Sequence, residues 1–171
     1  MMRILSVVEE SVVDGPGIRT VIFTAGCPHH CKGCHNPSSW NLSGGDEIEV
    51  DELVHRIKMS GWDGVTVSGG EPFLQSSALA ELVTACKSLG KNVWVYTGYT
   101  IEQLEAMHDE SVQTVLDHAD VLVDGRYEQS LRDTGLRFRG SSNQRIIFLT
   151  KSGENSPSSK RLGAKPSVGG K

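Results

Sequence analysis

Cys27, Cys31 and Cys34 fall within eight residues, directly after a run of strand-forming residues, and this feature constrains the fold more than any other. Three thiolates on one loop hold either zinc or an iron-sulfur cluster, and the fold must supply a strand whose end delivers them together. The zinc reading takes its fourth ligand from His29, His30 or His35. Against it, structural zinc loops commonly use two separated ligand pairs, and no second pair exists in the chain. Three cysteines suit a four-iron cluster with one iron left open, although the spacing alone leaves both metals in play. The fourth cysteine, Cys86, lies on an apolar helical stripe and reads as a core thiol. A disulfide framework fits neither this spacing nor the absence of a signal sequence.

A chain of 171 residues can bury one sizeable core, so a single domain is expected. The net charge of -4 and the scattered 17 Lys and Arg residues give no basic patch in the sequence, which argues against nucleic acid and anionic membrane as partners. Met1 to Glu10 lacks the features of a secretory leader, and no segment has the length of a membrane span. A reducing cytoplasm is the expected compartment.

Hydrophobic periodicity predicts strands at 4–8, 20–24, 65–67, 92–96, 120–123 and 145–149. Helices are predicted at 51–59, from a Ser76 or Ser77 cap to Gly90, from a Thr100/Gln103 capping box to Met107, and from Ser111. Asp14-Gly15-Pro16-Gly17 is a turn between the first two strands. This alternation predicts an α/β fold with a mostly parallel sheet, either doubly wound or curled into part of a barrel, with the site on loops after the strands. Residues 1–150 form the expected domain, and 151–171 read as a polar, disordered tail.

The Cys27-x3-Cys31-x2-Cys34 spacing and Ser68-Gly69-Gly70-Glu71-Pro72 resemble the radical S-adenosylmethionine superfamily. That resemblance implies a single-domain partial (β/α) barrel of radical S-adenosylmethionine (SAM) type. It also implies a 4Fe-4S cluster on Cys27, Cys31 and Cys34, whose open iron chelates SAM. By the same carry-over, Gly33, Cys34, His35, Gly69, Gly70 and Glu71 contact the cofactor, and Asp124-Gly125-Arg126 reaches towards it.

Further segments are similar to the activating enzymes of anaerobic ribonucleotide reductase. They are Asp14 to Gly17, Trp94-Val95-Tyr96-Thr97-Gly98-Tyr99, Val123-Asp124-Gly125-Arg126 and Arg139-Gly140-Ser141-Ser142-Asn143-Gln144. This resemblance implies a glycyl radical formed on the partner reductase, with reduced flavodoxin or a similar protein as electron donor. Tyr96, Tyr99 and the loop 139–144 are expected to touch the partner. His29, His30, Asp63 and His118 have no assigned role. The competing readings are a pyruvate formate-lyase type activase, a radical enzyme making a deazaguanine precursor, and a zinc-binding interaction module.

Overall fold

The computed structural model describes residues 1–149, and the expected tail at 151–171 lies outside them. The strands are β1 (Met2–Ser11), β2 (Arg19–Thr24), β3 (Asp46–Ile48), β4 (Gly64–Gly69), β5 (Asn92–Tyr96), β6 (Val121–Asp124) and β7 (Arg145–Phe148). The helices are α1 (Val50–Ser60), α2 (Ser76–Ser88), α3 (Ile101–Glu105) and α4 (Glu110–His118). All seven strands form one sheet in the order β3-β1-β2-β4-β5-β6-β7.

The expected mostly parallel sheet is corrected to a mixed one. β2, β4, β5 and β6 run parallel, whereas β1 pairs antiparallel with both β2 and β3, and β7 antiparallel with β6. The short connection 12–18 permits only a hairpin between β1 and β2, because a parallel return needs a long crossover. β3 is an addition to the expected strands: its polar Asp46-Glu47-Ile48 carries no periodic signal and pairs only along the β1 edge. Among the described residues the sheet is open, with β3 and β7 at its edges.

The helices follow the apolar spacing. α1 buries Val50, Leu53 and Ile57 and ends at Gly61, whose φ of 77° is left-handed. α2 buries Leu79, Leu82, Val83 and Cys86, but neither serine caps it. Ser76 is already helical because a 3₁₀ turn, Pro72–Gln75, runs into the helix. α3 carries the expected capping box, in which Gln103 N donates to Thr100 Oγ1 and Thr100 N to Gln103 Oε1. Asp109 caps α4 by accepting from the amides of Ser111 and Val112.

Alternation along the parallel strands divides their side chains between two faces. Ile22, Val65, Val67, Val93, Val95 and Leu122 pack with the helices in the main core. Trp94, Val121 and Val123 form a smaller cluster on the opposite face with Tyr96 and Phe138. Arg19 is buried there, donating from Nε to Thr66 Oγ1 at 2.9 Å and from Nη2 to the carbonyls of Val65 and Asn92 at 2.8 and 2.9 Å. Its guanidinium lies 5.4 Å from the Trp94 ring centroid. Burial lowers its pKa to about 10. No helix among the described residues is long and apolar enough to cross a membrane.

Candidate functional site

The cysteine loop leaves β2 and borders a cavity of 440 Å³, whose other walls come from the segments after β4, β5 and β6. Cys27, Cys31, Cys34 and His35 line it from one side; Gly69, Gly70, Thr97, Gly98 and Gly125 do so from the strand ends. All three cysteines are free thiols, Cys27 buried and the other two half-buried. Gly33 takes a φ of 74°, and Cys34 N donates to Cys31 O at 3.0 Å, closing a tight turn that brings the second and third cysteines together.

Burial pushes the Cys27 and Cys31 thiols up, with backbone amides partly opposing it at both. These thiols favour the neutral form until a cation displaces the proton, which is how a soft metal engages such a donor set. Among the described residues no three His, Cys, Asp or Glu side chains gather as for a single metal ion.

The glycine turn after β4 is stitched to the end of β2. Gly70 N donates to Thr24 O at 2.8 Å and Glu71 N to Gly26 O at 2.7 Å. A Cβ on Gly70 would stand 2.2 Å from Gly26 O, so no other residue fits that approach.

Of the residues expected to meet a cofactor, Cys34, His35, Gly69 and Gly70 line the cavity, while Gly33 and Glu71 do not. Gly33 packs against the Gln129 side chain. Glu71 is buried and its carboxylate accepts from Phe73 N, Thr97 Oγ1, Gly98 N and His29 Nε2, the last two at 2.8 Å. Asp124 is likewise withdrawn: Arg145 Nε donates to Oδ1 at 2.9 Å, and Ile101 N donates to Oδ2.

The expected partner contacts are also occupied within the fold. Tyr96 forms part of the cavity wall and donates from its hydroxyl to Phe138 O at 2.8 Å; burial raises its pKa. Tyr99 meets the His29 ring edge-to-face at 4.6 Å. In the loop 139–144, Gln144 Oε1 accepts from the amides of Gly140 and Ser141 while its Nε2 donates to Gly125 O, fastening this loop to the segment after β6.

His29, for which the sequence offered no role beyond that of a candidate zinc ligand, lines the cavity and meets Glu71. Its spacing from Cys27 offered only a weak hint, because the acid it meets lies 42 positions away.

Residues 13–147 match the family described as 4Fe-4S single cluster domain. An anaerobic ribonucleoside-triphosphate reductase-activating protein from Vibrio cholerae is 43% identical over 151 residues, covering 81% of this chain and 93% of its own. The chain belongs to the family of anaerobic ribonucleoside-triphosphate reductase-activating proteins. The activating protein of Escherichia coli K12 is 38% identical over 150 residues, with the same coverage. That of enterobacteria phage T4 is 36% identical over 141 residues, covering 78% of this chain and 86% of its own. A crystal structure of QueE from Escherichia coli aligns with a TM-score of 0.46 at 20% identity, over 58% of this chain and 53% of that one. This likeness is too slight to bear on function. Membership in the activating-protein family therefore rests on sequence.

Proposed function

We propose that this chain activates an anaerobic ribonucleoside-triphosphate reductase by generating a glycyl radical on it. Cys27, Cys31 and Cys34 would hold a 4Fe-4S cluster through three irons, leaving the fourth open to the amino and carboxylate groups of SAM. When bound, the reduced cluster would supply one electron to the sulfonium, whose S–C5' bond would break to release methionine and a 5'-deoxyadenosyl radical. The carrying observation is that three free thiols share one cavity with the glycine turn Gly69-Gly70 in a chain of the activating-protein family.

The chain's own part is positional. Gly69 and Gly70 line the cavity, and a Cβ on either would strike the backbone after β2 or at its end, so glycine at both positions lets the turn pack where it borders the cavity. Phe23, Tyr96, Leu136 and Phe138 give it apolar walls, which favour exclusion of water from a reactive intermediate. The parallel strands around this cavity would form the partial (β/α) barrel implied by the family resemblance. An electron donor such as reduced flavodoxin would act in the cytoplasm, and a glycine-bearing segment of the reductase would enter at the cavity mouth.

The test is anaerobic purification, quantification of iron, sulfide and zinc, and electron paramagnetic resonance of the reduced protein with and without SAM. About four irons per chain, a spectrum that changes with SAM, and a glycyl radical on added reductase are the expected results. Zinc in place of iron, or a cluster indifferent to SAM, would overturn the proposal.

A further inference from the structure

We infer that His29 is a positioning residue, fastening the cysteine loop to the ends of β4 and β5 through Glu71 and thereby setting how firmly the three cysteines hold their metal centre. The inference rests on the cluster reading above and adds a residue to it.

Cys27, Cys31 and Cys34 belong to a loop of weak local structure, whose internal ties include a turn from Cys31 to Cys34 and a contact of Asn36 N with Cys34 Sγ at 3.4 Å. His29 lies between the first two cysteines. Its side chain is 4% exposed and its Nε2 stands 2.8 Å from Glu71 Oε2, where Glu71 is fully buried. A carboxylate accepts, so the facing ring nitrogen carries the proton. Glu71 meanwhile takes Thr97 Oγ1 and Gly98 N from the segment after β5 and Phe73 N from its own turn. One buried carboxylate thus ties together the segments that follow β2, β4 and β5.

A second observation concerns shape. A Cβ on Gly98 would stand 2.3 Å from His29 Cδ2, so the ring fills the space that a side chain at position 98 would take. Tyr99 closes the other side, edge-to-face at 4.6 Å. The ring is therefore held by a hydrogen bond, by a glycine whose missing side chain accommodates it, and by an aromatic edge. Groups that orient a metal's ligands from behind commonly alter metal affinity by about 10–100-fold when removed.

The test compares wild type, His29→Ala, His29→Gln and Gly98→Ala, each reconstituted anaerobically with iron and sulfide. Iron release to a chelator, the electron paramagnetic resonance spectrum of the reduced cluster and its reduction potential are recorded for each, alongside a thermal melt. His29→Ala should lose iron about tenfold faster and show an altered spectrum and potential. His29→Gln, whose amide can still donate to Glu71, should recover most of the wild-type behaviour. Gly98→Ala keeps His29 but displaces its ring, and should resemble His29→Ala.

Wild-type release, spectrum and potential in a folded His29→Ala would overturn the inference. So would a Gln variant no better than Ala. A wild-type protein that takes up no cluster would instead defeat the underlying cluster reading, which separates the two failures.

Discussion

A buried acid is stable only where donors surround it, and among the described residues Glu71 and Asp124 are such acids with different partners. Glu71 is met chiefly by neutral donors at the site, whereas Asp124 is met by the Arg145 guanidinium, which also pairs with the exposed Glu102. Replacing Arg145 with Met strands Asp124 with a single backbone donor. The expected loss is about 2–3 kcal/mol, below the 3–5 of a fully buried pair because Arg145 is half-exposed, measured by denaturant unfolding.

Glu102 behaves differently. Hydrogen bonds from Arg145 lower its pKa from 4.5 to about 2. A lowered carboxyl contributes stability above its unfolded pKa and loses it as the pH falls through the folded one. Glu102→Gln should therefore match wild type near pH 2 and fall slightly below it above pH 4.5, with added salt shrinking the gap.

Among the elements, the glycine turn after β4 and the N-terminus of α4 make an instructive pair. Gly70→Ala forces a methyl group against the carbonyl of Gly26, backbone against which nothing flexible can yield. It should cost about 1–3 kcal/mol and, under the function proposed above, remove the change that SAM makes in the cluster spectrum, since the turn and the end of β2 must separate. Asp109→Ala removes a cap from Ser111 and Val112 and should cost about 1 kcal/mol while leaving that spectral change intact. Unfolding curves and spectra on both variants distinguish an element that only stabilises from one that also shapes the cavity.

At the scale of the whole molecule, the main core packs helices against one face of the sheet and the cysteine cavity lies at the strand ends. Folding is therefore expected to proceed without metal, unlike that of a zinc finger. Stripping iron with a chelator should leave the far-ultraviolet circular dichroism unchanged. Thiol labelling of the stripped protein should then reach Cys31 and Cys34 quickly and Cys27 slowly. Cys86, buried with its pKa pushed up to about 12, should react only on unfolding.

Helices and central strands were legible because their signals are local: apolar spacing in α1 and α2, β-branched runs in β2 and β4, and a capping box at Thr100. The cysteine loop and the glycine turn were legible because few chemistries use such spacings. What the sequence determined alone was thus most of the local elements, β3 excepted, and the donor chemistry at their ends. Tertiary structure decided the antiparallel pairing of β3 and β7, since their direction depends on where they meet the sheet, whereas the short 12–18 connection already dictates the β1–β2 hairpin. It also decided the roles of His29, Glu71 and Asp124, because a buried polar group takes its function from donors and acceptors that only the folded chain brings within hydrogen-bonding distance.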